Sequence, residues 1–298
     1  MKLQIRTNLV AWIILIVLVI VWGSSFILMK KGLIYFSSEI VGALRMSIAF
    51  IVLLPLSLKA LSILTKTQWI YLFLAGIFAN ALPAFLFSYA QTGINSSLAG
   101  ILNSLTPLST MLIALLFFHF KLTWQKVLGV LLGTTGVIGL LSISGGHSFE
   151  FNFHYAKFII MATICYAISL NLIKYKLKEL DASVITSVSL LLVGIPITAY
   201  LFIFTDFLAQ INNNSLALRG VGYIALLAVF GTSLALIAFN RLIKISNVVF
   251  AASVTYMIPI VAIMWGILDG EKFSMFTIFW ICIIISGVVL VRNREENR

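Results

Sequence analysis

TQWIYLFLAGIFANALPAFLFSYAQTGINSSLAGILNSLTPLSTMLIALLFFHF, residues 67–120, runs for 54 positions without a Lys, Arg, Asp or Glu. A bilayer core about 30 Å thick takes roughly 20 apolar residues of helix, so this stretch is too long for a single crossing. Its polar interruption, Gln91-Thr92-Gly93-Ile94-Asn95-Ser96-Ser97, falls near the middle, and the reading is two membrane helices joined by a hairpin. The same measure works outward along the chain. Runs at 7–29, 127–146, 182–205, 220–240, 245–268 and 273–291 each suit one helix, and shorter or interrupted runs lie at 40–58, broken by Arg45, and at 158–173. Together they predict ten spans, near 9–30, 39–58, 67–90, 97–119, 125–143, 155–174, 182–205, 217–240, 247–268 and 273–292. The expected fold class is an all-α integral membrane protein.

Composition points the same way. The 298 residues are 61% hydrophobic and 10% charged with a mean hydropathy of +1.12, which excludes a water-soluble enzyme and a disordered chain alike. Twenty Lys+Arg against nine Asp+Glu would suit a nucleic-acid binder if the cations clustered, but they lie between the apolar runs. They read as topology determinants, and no nucleic-acid partner is expected. One side collects 14 of them, Lys2, Arg6, Lys59, Lys66, Lys121, Lys126, Lys174, Lys176, Lys178, Arg241, Lys244, Arg292, Arg294 and Arg298. The other side holds Lys30, Lys31, Lys157, Arg219 and Lys272, and Arg45 stays inside a span. The excess of short-loop cations places both termini in the cytoplasm. The first apolar run is longer than a signal peptide's and no small-x-small cleavage site follows, so it is expected to remain in the mature protein. The largest connections are only about 143–154 and 206–216, and Cys165 and Cys282 offer neither metal-ligand spacing nor a disulfide framework.

The chain also resembles itself. At an offset of 152, Phe87, Asn95, Ala99, Pro107 and Leu116 match Phe239, Asn247, Ala251, Pro259 and Leu268. At an offset of 144, Ser25, Leu28 and Lys30 match Ser169, Leu172 and Lys174, while Trp22 meets Tyr166. The period is five helices, and because five is odd the second copy enters the bilayer from the opposite side. The expected organisation is a first five-helix repeat over 9–143, a connecting loop at 144–154, a second repeat over 155–292 and a cytoplasmic tail at 293–298.

Trp22-Gly23-Ser24-Ser25-Phe26 in span one, Arg45 in span two, Phe87-Ser88-Tyr89-Ala90 closing span three and Pro107 in span four resemble the EamA family. So do Pro259, Gly270-Glu271 and Gly287 in the second half. EamA is the main branch of the drug/metabolite transporter superfamily, and the resemblance covers essentially the whole chain as two units. One departure is visible: the Gly-Glu that closes span four is Phe118-His119 in the first unit. The resemblance implies a bacterial inner-membrane exporter of amino acids or related small metabolites, with a cavity lined by spans one, three, four, six, eight and nine.

Polar groups within hydrocarbon are costly unless they face partners or a wet cavity, so the polar residues inside spans are the candidates for recognition. They are Trp22, Ser25, Asn80, Tyr89, Asn103, Tyr166, Asn171, Asn240 and Tyr256. Ser24, Thr106, Ser169, Thr232, Ser253 and Thr255 lie in the same spans. Each has a plainer alternative as helix glue, a self-bonded hydroxyl or an interfacial aromatic. Arg45 is the one in-span cation, read either as an anchor to neighbouring carbonyls or as a binder of a substrate carboxylate. Pro107 and Pro259, at matched places in the two halves, are read as hinge or gate elements. No Asp or Glu falls in the middle of a span, and His119, His147 and His154 are peripheral, so no proton carrier is evident. His147 and His154 flank Glu150 in what reads as a solvated linker, and no metal, cofactor or catalytic group is expected. The functional expectation is a secondary transporter exporting small neutral or zwitterionic metabolites by alternating access. A non-transporting scaffold or assembly factor is the rival, to be favoured by a dry core, and an integral-membrane enzyme is the third choice.

Overall fold

A computed structural model describes residues 2–61, 64–94, 96–118, 123–144, 153–213, 216–268 and 275–292. Asn95, His119, the segment with His147 and Glu150, the Gly270-Glu271 pair and the tail 293–298 lie outside the described residues, which contain helices and no strand. The helices are α1 Lys2–Leu33, α2 Ser38–Ala60, α3 Lys66–Ala90, α4 Ser96–Asn103, α5 Thr106–Phe117, α6 Trp124–Ser144 and α7 Phe153–Lys176. They continue as α8 Ala182–Phe204, α9 Phe207–Asn213, α10 Ala217–Ile245, α11 Val248–Ala252, α12 Val254–Leu268 and α13 Met275–Arg292. Six are long and apolar enough to cross a membrane, namely α1 from Leu9, α2, α3, α7, α8 and α10. Their flanks carry ordinary start signals. The Ser37 hydroxyl accepts from the Ile40 amide ahead of Glu39 in α2, Thr65 and Gln68 close a reciprocal capping box on α3, and the Asn247 carboxamide accepts from the Phe250 amide at 2.7 Å.

Three features depart from the expected layout. The fourth and ninth expected segments are each broken, at Ser104-Leu105 and at Ser253, and Ser104 Oγ bridges the two breaks by donating to the Thr255 carbonyl at 3.1 Å. The connection after α8 folds into the short α9 because Phe207 packs on Phe36 and Phe202, both rings 5.8 Å away. Finally, α3 and α10 each widen into a π turn, at Ile77–Ala81 and Val229–Leu234. In α3 the turn precedes Pro83, which cannot donate to the fourth carbonyl back and crowds it, so the ladder widens there. In α10 no proline is present, and the Thr232 and Ser233 hydroxyls instead bond carbonyls five residues back, at Leu227 and Ala228.

Side chains sort into two buried apolar clusters. The first holds Leu15 and Leu18 of α1, Leu72 of α3, Leu177 at the end of α7, Leu242 of α10 and Phe250 of α11. The second holds Met29, Ile40, Phe87, Ile159, Leu190 and Ile224. Along α1 the first cluster ends at Val19 and the second begins at Met29; along α3 the limits are Ala75 and Ala84. In α7 and α10 the order reverses, from Ala162 to Leu170 and from Ala228 to Ala235, so these helices run between the clusters in the opposite sense. Large apolar side chains such as Ile20, Ile51, Phe73, Leu116, Phe204 and Phe230 stay exposed around the outside, as a lipid-facing surface requires. Helices α6 and α13 pack backbone to backbone, where a Cβ on Gly287 would lie 2.6 Å from the Gly129 carbonyl and 2.7 Å from the Gly133 amide; only glycine permits that approach.

Candidate functional site

Between the two clusters lies a cavity of about 110 Å³, room for several waters or one small solute, since a single water occupies about 10–15 Å³ on this measure. Its lining is chiefly apolar and comes from α1, α2, α3, the broken α4/α5 and α11/α12 segments, α7, α8 and α10. The helix irregularities explain its position. A π turn leaves backbone carbonyls without helical partners, and such groups are tolerated at membrane depth only beside a cavity or a neighbour that satisfies them. In α10 the neighbour is Trp22, whose Nε1 donates to the Gly231 carbonyl at 2.8 Å while its ring meets Phe239 edge-on at 4.8 Å. A Cβ on Gly231 would fall 2.7 Å from Ser25 Oγ, so the approach of α1 to this turn depends on glycine.

Of the nine recognition candidates, the structure brings six to the cavity: Trp22, Ser25, Asn80, Asn103, Tyr166 and Asn240. Arg45 lines it too, its Nε donating to Thr232 Oγ1 at 2.8 Å. Several of these groups are already engaged. Ser25 donates to the Val21 carbonyl, Asn103 Oδ1 accepts from Thr106, and Asn240 Nδ2 donates to Thr186 Oγ1 at 2.8 Å. Three candidates stand away from the cavity. Tyr89 is 39% exposed and packs on Tyr155 and Phe158; Asn171 joins α7 to α5 by donating to the Thr110 carbonyl at 3.1 Å; Tyr256 is fully buried, its hydroxyl donating to the Val130 carbonyl at 3.1 Å and lying 3.0 Å from Thr134 Oγ1. Neither Pro107 nor Pro259 lines it, and Pro107 sits in the first turn of α5, where the missing N–H costs nothing. The sequence reasoning overlooked Thr186 and Ser189, which bring α8 to the wall. Their signal was a hydroxyl trio, Thr186, Ser187 and Ser189, inside an otherwise apolar run.

At the first-cluster end, lysines tie helix ends together. Lys174 Nζ, on the last turn of α7, donates to the carbonyls of Ile243 at 2.9 Å, Lys244 at 3.4 Å and Ser246. Lys244 Nζ donates in return to the Leu180 carbonyl. Carbonyls at a helix C-terminus lack helical partners and carry partial negative charge, so an ammonium satisfies both needs.

An all-helical, lipid-faced bundle around a partly polar central cavity defines a multi-pass membrane transporter, and sequence comparison gives the lineage. The profile of the EamA-like transporter family matches residues 10–142 and 155–293. The chain belongs to that family. It is 23% identical over 291 residues to an uncharacterized transporter of Archaeoglobus fulgidus, covering 95% of this chain and 99% of that one. It is 26% identical over 292 residues to YedA of Escherichia coli K12, an uncharacterized inner membrane transporter, covering 93% and 89%. Protein PagO of Salmonella typhimurium is 24% identical over 182 residues, 60% of this chain and 59% of that one. A solved crystal structure, 16% identical, superposes with a TM-score of 0.71 over 94% of this chain and 95% of its own, a likeness of fold alone.

Proposed function

We propose that this protein is an alternating-access carrier of ten spans, built as two inverted five-helix halves that rock about the central cavity and export amino acids or other small neutral or zwitterionic metabolites across the plasma membrane. The observation that carries this reading is the cavity's place between two apolar clusters that α1 and α3 traverse in one sense and α7 and α10 in the other. Exchanging α1 with α7, α2 with α8, α3 with α10 and α5 with α12 also preserves the scheme of neighbours: α1 packs on α10 as α7 does on α3, α1 on α12 as α7 on α5, and α2 on α3 as α8 on α10. The π turns begin at Ile77 and Val229, an offset of 152, the register of the sequence repeat. Inverted halves of this kind let one site open alternately to either side.

In this reading residues 9–143 and 155–292 are the halves, the termini are cytoplasmic on the loop-charge argument, and Pro107 and Pro259 flex the broken segments beside the site. Outward flux rests on likeness to the family. The test is a metabolite-efflux comparison of cells with and without the protein, followed by counterflow of the enriched metabolite in proteoliposomes. Export of one or a few small metabolites is expected. Unchanged extracellular metabolites together with absent counterflow would overturn the carrier and favour a scaffold.

A further inference from the structure

Counting donors and acceptors separates the cavity's scaffold from its free chemistry. Trp22, Ser25, Thr106, Thr186, Thr232, Asn240 and Thr255 all spend polar atoms on protein partners. Four lining groups keep polar atoms without a protein partner. Asn80 makes no hydrogen bond among the described residues, and its Oδ1 is buried without a partner; Ser169 Oγ is buried in the same condition. The Tyr166 hydroxyl has no hydrogen bond among them either, and the ring lies within electrostatic reach of Arg45. Arg45 carries five N–H donors in a planar fork, of which the described residues engage Nε alone, through Thr232. The one ion pair among the described residues, Lys178 with Glu179, is at the surface, and no Asp, Glu or His lines the cavity.

A guanidinium held at membrane depth without a counter-ion is costly, and a fork geometry matches a carboxylate bidentately. Buried acceptors left without donors carry their own penalty, which an incoming N–H or O–H relieves. Resting on the carrier reading above, we infer that Arg45, Asn80, Tyr166 and Ser169 form the recognition subsite for a solute bearing a carboxylate beside a hydrogen-bond donor, that is, an α-amino or α-hydroxy acid. Arg45 takes the carboxylate. Asn80 and Ser169 accept from the neighbouring ammonium or hydroxyl, and Tyr166 supplies a further donor and acceptor on the Arg45 side. Because no acid among the described residues balances Arg45 in the cavity, the site rejects organic cations.

The experiment measures binding to the detergent-purified full chain, by thermal shift and by Trp fluorescence, across the proteinogenic L-amino acids, their amides and their 2-hydroxy acid analogues. Counterflow in proteoliposomes is measured on the same panel. Some acids should bind and their amides should not. Arg45→Gln should weaken the best acid about tenfold to a hundredfold, the worth of a charge-assisted hydrogen bond, and Arg45→Lys should recover part of it. Asn80→Asp guards against mere misfolding by predicting a gain: a carboxylate facing the ammonium should keep the α-amino acid, exclude its 2-hydroxy analogue, an anion, and admit the amino amide, a cation. Equal binding of acids and amides, no binding by any acid, or an acid affinity untouched by Arg45→Gln would overturn the subsite. Counterflow of some other solute under those outcomes would leave the carrier itself standing, whereas counterflow of nothing would remove both.

Discussion

Replacing Lys174 by Gln removes the ammonium that binds the end of α7 to the end of α10. Three acceptors lose it at once, the carbonyls of Ile243, Lys244 and Ser246. A hydrogen bond from a charged donor is worth about 1.5–3 kcal/mol when buried, and a cation at a helix C-terminus about 0.3–2 kcal/mol. Lys174 is half-buried and water competes for it, so about 2 kcal/mol in all is a fair figure, a factor of about 30 in the equilibrium between braced and unbraced forms of this end. The assay is cysteine accessibility. In a background with Cys165→Ser and Cys282→Ser, Asn240→Cys places one thiol in the cavity wall on α10, and an impermeant maleimide is applied from the side where Lys174 lies. Labelling should accelerate by up to that factor in Lys174→Gln and return toward the parent rate in Lys174→Arg. A rate that Lys174→Gln leaves unchanged would show that the lysine braces nothing that moves.

Lys30, the match of Lys174 at an offset of 144, is exposed at the other end, and Gln91, Thr92 and Ile94 match the three acceptors at an offset of 152. If the halves alternate, Lys30 braces that end in the opposite state, so Lys30→Gln should slow labelling of Asn240→Cys; acceleration would contradict it. Tyr256→Phe removes a buried hydroxyl that ties α12 to α6, at a cost of about 1 kcal/mol. A lowered unfolding temperature with unchanged solute affinity is expected, and a selective loss of affinity would place Tyr256 at the site after all. Gly287→Ala forces apart two backbones now in contact and should cost about 1–3 kcal/mol in thermal unfolding. With no Asp, Glu or His among the described residues that line the cavity, counterflow should not respond to an imposed pH gradient, and strong acceleration by one would reveal a proton carrier elsewhere.

The helices were legible because a bilayer fixes length and polarity together: runs without charge can only be spans or buried helices, and α2, α3 and α8 begin within a residue or so of the expected limits. The breaks and π turns were not legible, since their causes are tertiary. Nothing local to Val229–Leu234 announces a widened turn; Trp22 stabilises it from over two hundred residues away. Arg45, Asn80 and Tyr166 could be picked out because a polar group in a span needs a reason. Which face it points to could not. In a helix apolar all round, periodicity does not mark the inner side, so Asn171 and Tyr256 looked equivalent to Asn80 until packing showed one bonded to α5 and the other to α6.

For the proposed two-half carrier, the matched positions mark where the halves would part company. Trp22 and Tyr166, Ser25 and Ser169, Asn80 and Thr232, and Arg45 and Ser189 correspond at the two repeat offsets, and all eight line the cavity. On one side the cation of α2 reaches the hydroxyl of α10, Arg45 to Thr232. At the related place Ser189 is too short to do the same; it donates to its own helix at Thr186, and Asn80 is left without a partner. Under exact two-fold symmetry a solute would have two equivalent poses, and opening to either side would present it in either orientation. A positive pole at one of these related places, beside α10, and a free acceptor at the other, beside α8, remove that degeneracy. In the proposed carrier the scaffold then rocks symmetrically while the solute keeps one orientation throughout, its acid end travelling with α2.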